Sequence, residues 1–116
     1  MATDGTVSMH LFDSVFKNYD ISCIYPEQEC QKLVMSIIYD DVKAGRSVNM
    51  DEFYIVKEQL IDAGAQVIIL GCTELSILKR DNPVGPKVLD IVDVLAADCV
   101  KKCAKPRIEC DNLITE

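Results

Sequence analysis

The run Val67-Ile68-Ile69-Leu70 restricts the fold more than any other stretch of the chain. Every position is apolar and uncharged, and three of the four residues are β-branched. A strand with one wet face alternates apolar and polar residues, so an unbroken run suits a parallel strand covered on both faces. Gly71-Cys72-Thr73-Glu74 follows at once and opens a short helix ending near Arg80. A buried strand feeding directly into a helix is the repeating unit of an α/β sheet.

The remainder of the chain alternates in the same way. Thr6 or Ser8 is placed to cap a first helix, with Met9, Phe12, Val15 or Phe16, and Tyr19 on its buried side. Ile21-Ser22-Cys23-Ile24-Tyr25 reads as a short strand ended by Pro26, which also suits the first turn of the next helix. Cys30, Leu33, Val34, Ile37 and Ile38 share one face of that helix, and Gly45 terminates it. A third helix is expected from about Met50 to Ala63, with Asp51 near its start and Gly64 at its end. Beyond residue 80, Asp81 to Pro86 is a loop and Val88-Leu89 a short strand. The last helix runs from about Asp90 to Lys105, where Pro106 stops it.

The expected architecture is a three-layer α/β domain with a short parallel sheet, flavodoxin-like in plan, over residues 1–105. A polar tail over 106–116 follows it. Thr3-Asp4-Gly5-Thr6 reads as a turn entering a helix, yet only Met1 and Ala2 precede it. The chain is therefore expected to start inside a βα unit.

Charge and cysteine usage narrow the function. A formal net charge of −7 over 116 residues argues against a nucleic-acid partner, which requires clustered cations. The one tight basic group, Lys101, Lys102 and Lys105, fits a solvated helix C-terminus. No apolar run approaches the roughly 20 residues that span a bilayer, and the N-terminus lacks the pattern of a signal peptide, so a cytoplasmic location is expected. The six cysteines, at 23, 30, 72, 99, 103 and 110, include no C-x-x-C pair, and His10 stands far from them in sequence, which favours reduced thiols over a zinc site. Val92, Leu95, Ala96, Cys99, Val100 and Cys103 follow one helix face, which reads as a core stripe with Cys99 and Cys103 as small core residues. His10 is assigned no role.

Ligands of open α/β sheets sit beyond the carboxyl ends of the strands. Cys72 lies at that place, at a helix N-terminus that favours a thiolate, and it is expected to be the fastest of the six cysteines to alkylate at neutral pH. Backbone N–H groups of Thr73 and Glu74 could hold a substrate carboxylate.

Residues 67 to 75, Val-Ile-Ile-Leu-Gly-Cys-Thr-Glu-Leu, resemble the second cysteine motif of the aspartate/glutamate racemase family. Four further stretches match the family in order: Ala2 to Thr6 its substrate-binding turn, Ile24-Tyr25-Pro26 its second strand, Ile38 to Gly45 a helix end carrying a lysine and a glycine, and Leu89-Asp90 its terminal strand and acid. The resemblance extends to about Val100 and corresponds to the C-terminal half of a two-domain fold.

That resemblance implies a cofactor-independent racemase acting on a small amino acid, with neither metal nor pyridoxal phosphate. Two cysteines face each other across the substrate, one as thiolate base and one as thiol acid. Cys72 matches the second. Thr3 and Thr6 would bind the substrate backbone, Lys43 would face a carboxylate, Thr73 would add donors, and Glu74 would orient its neighbours. Each has a plainer reading beside it: Thr6 as a helix cap, Lys43 as a cation near a helix C-terminus, Glu74 as compensation of a helix dipole.

The family's first half, with the other cysteine in an Asn-Thr loop, is not in this sequence. Ile91 stands where the family commonly has a small hydroxyl residue after the terminal acid. The expected partner is a complementary N-terminal half, or a second copy of the chain placing two Cys72 residues across one cleft. Hydantoin racemases, maleate isomerases and arylmalonate decarboxylases share the two-domain plan, and Thr3, Thr6 and Lys43 favour the aspartate-type branch. A non-catalytic remnant of the same fold is the competing reading.

Overall fold

The computed structural model describes residues 1–103 and 113–116. Its elements are α1 (Asp4–Ser8), α2 (Asp13–Phe16) with a 3-10 turn (Lys17–Tyr19), α3 (Gln28–Ser36) continuing into a π-helical turn (Ile37–Val42), α4 (Met50–Asp62), β1 (Ile68–Leu70), α5 (Thr73–Asp81), β2 (Val88–Asp90) and α6 (Ile91–Lys102). The result is a helix-rich α/β fold around a short parallel sheet.

Strands β1 and β2 pair in parallel, with Ile68 opposite Val88, Ile69 opposite Leu89 and Leu70 opposite Asp90. The sheet extends by backbone contacts on both sides. The Met1 nitrogen donates to the Ile69 carbonyl at 2.8 Å, and the Gly71 N–H donates to the Met1 carbonyl at 2.8 Å. This is the bonding of a parallel bridge, so Met1 takes the strand position expected just before Thr3. On the far side, Ile114 forms an antiparallel bridge with Leu89, and Thr115 exchanges backbone bonds with Lys87 and Val88. The end of the polar tail is thus docked against β2.

The core lies between α3, α4, α5 and one face of the sheet. Val34, Ile37, Ile38, Phe53, Val56, Leu60, Ile68, Leu70, Leu75, Leu78 and Val88 are buried there. Local signals set the helix ends. Asn49 caps α4 by accepting from the Asp51 N–H at 3.2 Å, and Gly64 leaves it at φ +101. Gly45 adopts φ +67 after the π-helical turn, as expected of the residue that stops that helix. Pro26 precedes the Glu27 cap instead of entering the first turn. Within the π-helical turn the Lys43 N–H reaches back five residues to the Ile38 carbonyl at 3.0 Å, which widens the helix by one residue.

Several expectations are corrected. The first helix is broken: Thr3, not Thr6 or Ser8, is its cap, and His10 at φ +49 ends it before Asp13. Met9, Val15 and Tyr19 are exposed, while Phe12 and Phe16 stack at 5.9 Å and turn inward. Residues 21–25 form no regular element and pair with no strand, so Cys23 is not in the sheet. The β1 run is covered on one face only. Ile68 and Leu70 are buried, but Val67 and Ile69 line a cavity of about 580 Å3 with Phe12, Phe16 and residues 20–25. The apolar stripe of α6 faces outward, with Cys99 and Cys103 exposed and Ala97 on the opposite side buried. Lys101 and Lys102 do occupy the last turn of α6; Lys105, Pro106 and Cys110 lie outside the described residues.

Gly71 is where β1 and the N-terminal segment meet. A Cβ there would sit 3.0 Å from both the Ala2 Cβ and the Met1 carbonyl oxygen. Gly71→Ala is expected to cost about 1–3 kcal/mol through overpacking, measured by urea denaturation. Gly5→Ala, which meets nothing within 4 Å, is the control and is expected to cause no loss.

Candidate active site

Three helices start at the carboxyl edge of the sheet. Thr3 caps α1 just after Met1, Cys72 caps α5 two residues after β1, and Asp90 caps α6 at the end of β2. Parallel strands create this geometry, since each must hand the chain to a helix on the same edge. Helix N-termini carry unpaired N–H groups and partial positive charge, so their convergence favours an anionic ligand.

Cys72 has an extended backbone, φ −154 and ψ 161, and its thiol makes no capping hydrogen bond. Burial pushes the thiol above its ordinary value. The Leu75 backbone N–H opposes that shift, whereas the charge of Glu74 and its hydrogen bond add to it; the Glu74 backbone N–H again opposes it. The net direction is upward: burial opposes the helix N-terminus that favours a thiolate at this position.

Glu74 is the hub of the neighbouring polar groups. Thr73 Oγ1 donates to its Oε2 at 3.1 Å, and Lys43 Nζ lies 3.7 Å from its Oε1. Its pKa is held down chiefly by its own backbone N–H, with Thr73, Cys72 and Lys43 assisting against partial burial. Lys43 reaches this point from the end of the π-helical turn and also lies 4.0 Å above the Tyr39 ring. The carboxylate it faces is therefore the chain's own.

Thr3 and Thr6 form a separate pair on α1, with Oγ1 atoms 3.3 Å apart. The structure brings Cys72, Thr73, Glu74 and Lys43 together. It places the threonine pair alongside through the contact between Ala2 and Gly71, without a direct hydrogen bond to Cys72. His10 stays apart, hydrogen-bonded through Nδ1 to Asp13 at 2.9 Å. Cavities of about 710 and 580 Å3 are present, and neither is lined by Cys72. Among the described residues no His, Cys, Asp and Glu group could hold a metal ion, and no helix is long and apolar enough to cross a membrane.

Ser76 escaped the sequence reading. Its Oγ donates to Asp90 Oδ1 at 2.7 Å, and the same oxygen accepts from the Val92 N–H at 2.9 Å. Asp90 is buried, so both donors matter. The hydroxyl that Ile91 does not supply beside this acid comes instead from α5. The position of Ser76, four residues after Cys72 and thus on the same side of α5, was the available signal.

The Asp/Glu/hydantoin racemase family model matches residues 1–99, and the chain belongs to that family. It is also similar to an uncharacterised protein encoded in the pnlA 3′ region of Pectobacterium carotovorum subsp. carotovorum, 32% identical over 88 residues. The aligned stretch is 75% of this chain and 59% of that relative, so the chain spans about three fifths of the relative's length.

Two outcomes follow from the site. Exposed Cys99 and Cys103 are expected to alkylate with iodoacetamide before Cys72 at pH 7, reversing the order read from sequence, with Cys72 gaining rate as pH rises past its ordinary thiol value of 9.0. Peptide mapping across a pH series checks this. Ser76→Ala is expected to cost about 1–3 kcal/mol by leaving the buried Asp90 carboxylate short of a donor, read by denaturant melting.

Proposed function

We propose that this chain is the second-cysteine half of a cofactor-independent amino-acid racemase of the aspartate/glutamate type, and that Cys72 is its acid/base group. The observation that carries this reading is the placement of Cys72 at the carboxyl end of β1, capping α5, within a chain of the racemase family.

The chemistry requires one proton to leave Cα on one face and one to arrive on the other. For one substrate hand, the Cys72 thiol donates its proton to Cα while a thiolate on the opposite face removes the original one. For the other hand, Cys72 starts as the thiolate and the roles exchange. Each pass leaves one thiol and one thiolate, so protons balance. A thiol raised by burial suits the donor role, and the Leu75 and Glu74 N–H groups stabilise the thiolate when it forms. Thr3 and Thr6 would hold the substrate backbone, and Thr73 would add a donor. Lys43 would compensate carboxylate charge as carbanion character develops, after sharing or leaving Glu74.

The opposing thiol comes from a complementary half or a second copy, and the substrate is a small acidic amino acid.

The purified chain alone is expected to show negligible racemisation of aspartate or glutamate and negligible solvent deuterium incorporation at Cα. Adding a first half that carries an Asn-Thr cysteine loop is expected to restore exchange, and Cys72→Ser in that mixture to lower it about 10²–10⁴-fold. Proton NMR of the Cα signal reads both. Robust exchange by Cys72→Ser would overturn the assignment.

A further inference from the structure

The Lys43 ammonium is held at the cysteine edge without a hydrogen bond. Its Nζ lies 3.7 Å from Glu74 Oε1, where opposite charges attract but no N–H···O bond forms. Its other neighbour is the Tyr39 ring, with Nζ 4.0 Å from the centroid. Among the described residues Nζ donates to no oxygen, so the three donors of the ammonium are unspent.

These two neighbours are not equivalent. Glu74 has other support: its own backbone N–H, the Thr73 hydroxyl at 3.1 Å and the Cys72 thiol all hold its carboxylate, and Lys43 is the weakest of these influences. The carboxylate can lose Lys43 and stay in place. Lys43 has no such reserve, since no second acid among the described residues lies within 4 Å of it. With Glu74 withdrawn, the Tyr39 face is what still attracts the ammonium. The two residues stand four apart on the π-helical turn and are carried by one element, so their contact does not depend on α5. Core packing does not account for the ring: Tyr39 is 48% exposed, whereas Ile37 and Ile38 beside it are fully buried. A ring face attracts a cation without accepting its hydrogen bonds, which leaves the N–H groups to an incoming oxygen.

We propose that Tyr39 is a positioning residue whose ring face keeps the Lys43 ammonium at the cysteine edge, and that Glu74 is the partner a small carboxylate ligand displaces. A ligand carboxylate would take direct, charge-assisted hydrogen bonds from Lys43, which Glu74 at 3.7 Å does not make. The inference deepens the racemase reading and rests on it for the ligand class; the ring contact itself does not.

Proton–carbon NMR of the uniformly labelled full-length chain tests both parts, with the Lys43 Cε–Hε cross-peak assigned through Lys43→Arg. Protons above an aromatic face move upfield, so the Lys43 Hε signal is expected upfield of those of exposed Lys17 and Lys32, with a nuclear Overhauser contact to the Tyr39 ring. Tyr39→Phe is expected to keep the upfield position, Tyr39→Leu to abolish it with the circular dichroism of the folded chain unchanged, and Glu74→Gln to keep it. Succinate, a dicarboxylate that cannot racemise, is expected to shift the Lys43 and Glu74 side-chain signals saturably, and to bind Tyr39→Leu roughly 2–5-fold more weakly, the equivalent of an exposed cation–π contact. An ordinary Lys43 shift without the Overhauser contact, loss of the upfield position in Tyr39→Phe or in Glu74→Gln, or equal succinate affinity in a folded Tyr39→Leu chain would each overturn the positioning role. The Overhauser contact, Tyr39→Phe and Glu74→Gln decide it even if Tyr39→Leu does not fold. A chain that keeps the ring contact but shows no response to succinate would instead overturn the carboxylate role of Lys43 in the racemase reading.

Discussion

The missing side chain at Gly71 lets β1 and the N-terminal segment approach to backbone contact, and the rest of the site depends on that approach. The Met1 carbonyl takes the Gly71 N–H, and the Ala2 methyl occupies the space a Cβ would need. The hydrogen bond fixes the Met1 segment parallel to β1, so the chain leaves toward α1 on the edge where it also enters α5. Together with the bond from the Met1 amine to the Ile69 carbonyl, it brings the segment that carries the threonine pair to the strand that leads into Cys72, across about seventy residues of sequence.

A second tie works across the other strand. Asp90 ends β2, caps α6 and accepts the Ser76 hydroxyl of α5. One buried carboxylate thus holds two helix starts against each other. Lys57 performs a comparable service lower in the fold: its stem is buried and its Nζ donates to the Val84 carbonyl at 2.7 Å, tying α4 to the loop that leads into β2. Burial and the nearby charge of Lys87 depress the Lys57 pKa. Polar groups of this sort stabilise the strand ends only because each has found a partner.

Much of the fold could be read from the residues because local signals and burial agreed. The helix over 50–62 has its range, the acidic Asp51 near its start and its glycine stop in sequence, and all three are realised; its cap, Asn49, and its buried face were not read there. The strand before Cys72 was legible as well, although only one of its faces is covered. Errors arose where periodicity had to stand in for knowledge of a neighbour. The α6 stripe has the correct 3-4 spacing but faces away from its own core, since spacing identifies a face and not what covers it. Ile21 to Tyr25 has strand composition but no paired edge, and β-propensity without a pairing partner does not make a strand. The helix N-terminus at Cys72 is visible in sequence, whereas the desolvation that pushes its thiol pKa up is not. Ser76 was passed over because its importance lies in a contact with Asp90, fourteen residues away.

The π-helical turn at Ile37–Val42 has a consequence for how such chains can change. Its extra residue advances everything after it by about 100° around the helix relative to an uninterrupted α-helix. Lys43 meets Glu74 only with that offset in place, although Val34 is held in the core by the regular α-helical part before it. A single in-frame codon deletion within this turn would therefore leave a continuous helix with an intact buried face and swing the ammonium group away from the cysteine edge. Length polymorphism at this point would alter charge placement without touching a single functional side chain, which makes indels here a route to divergence that comparisons of residue identity would miss.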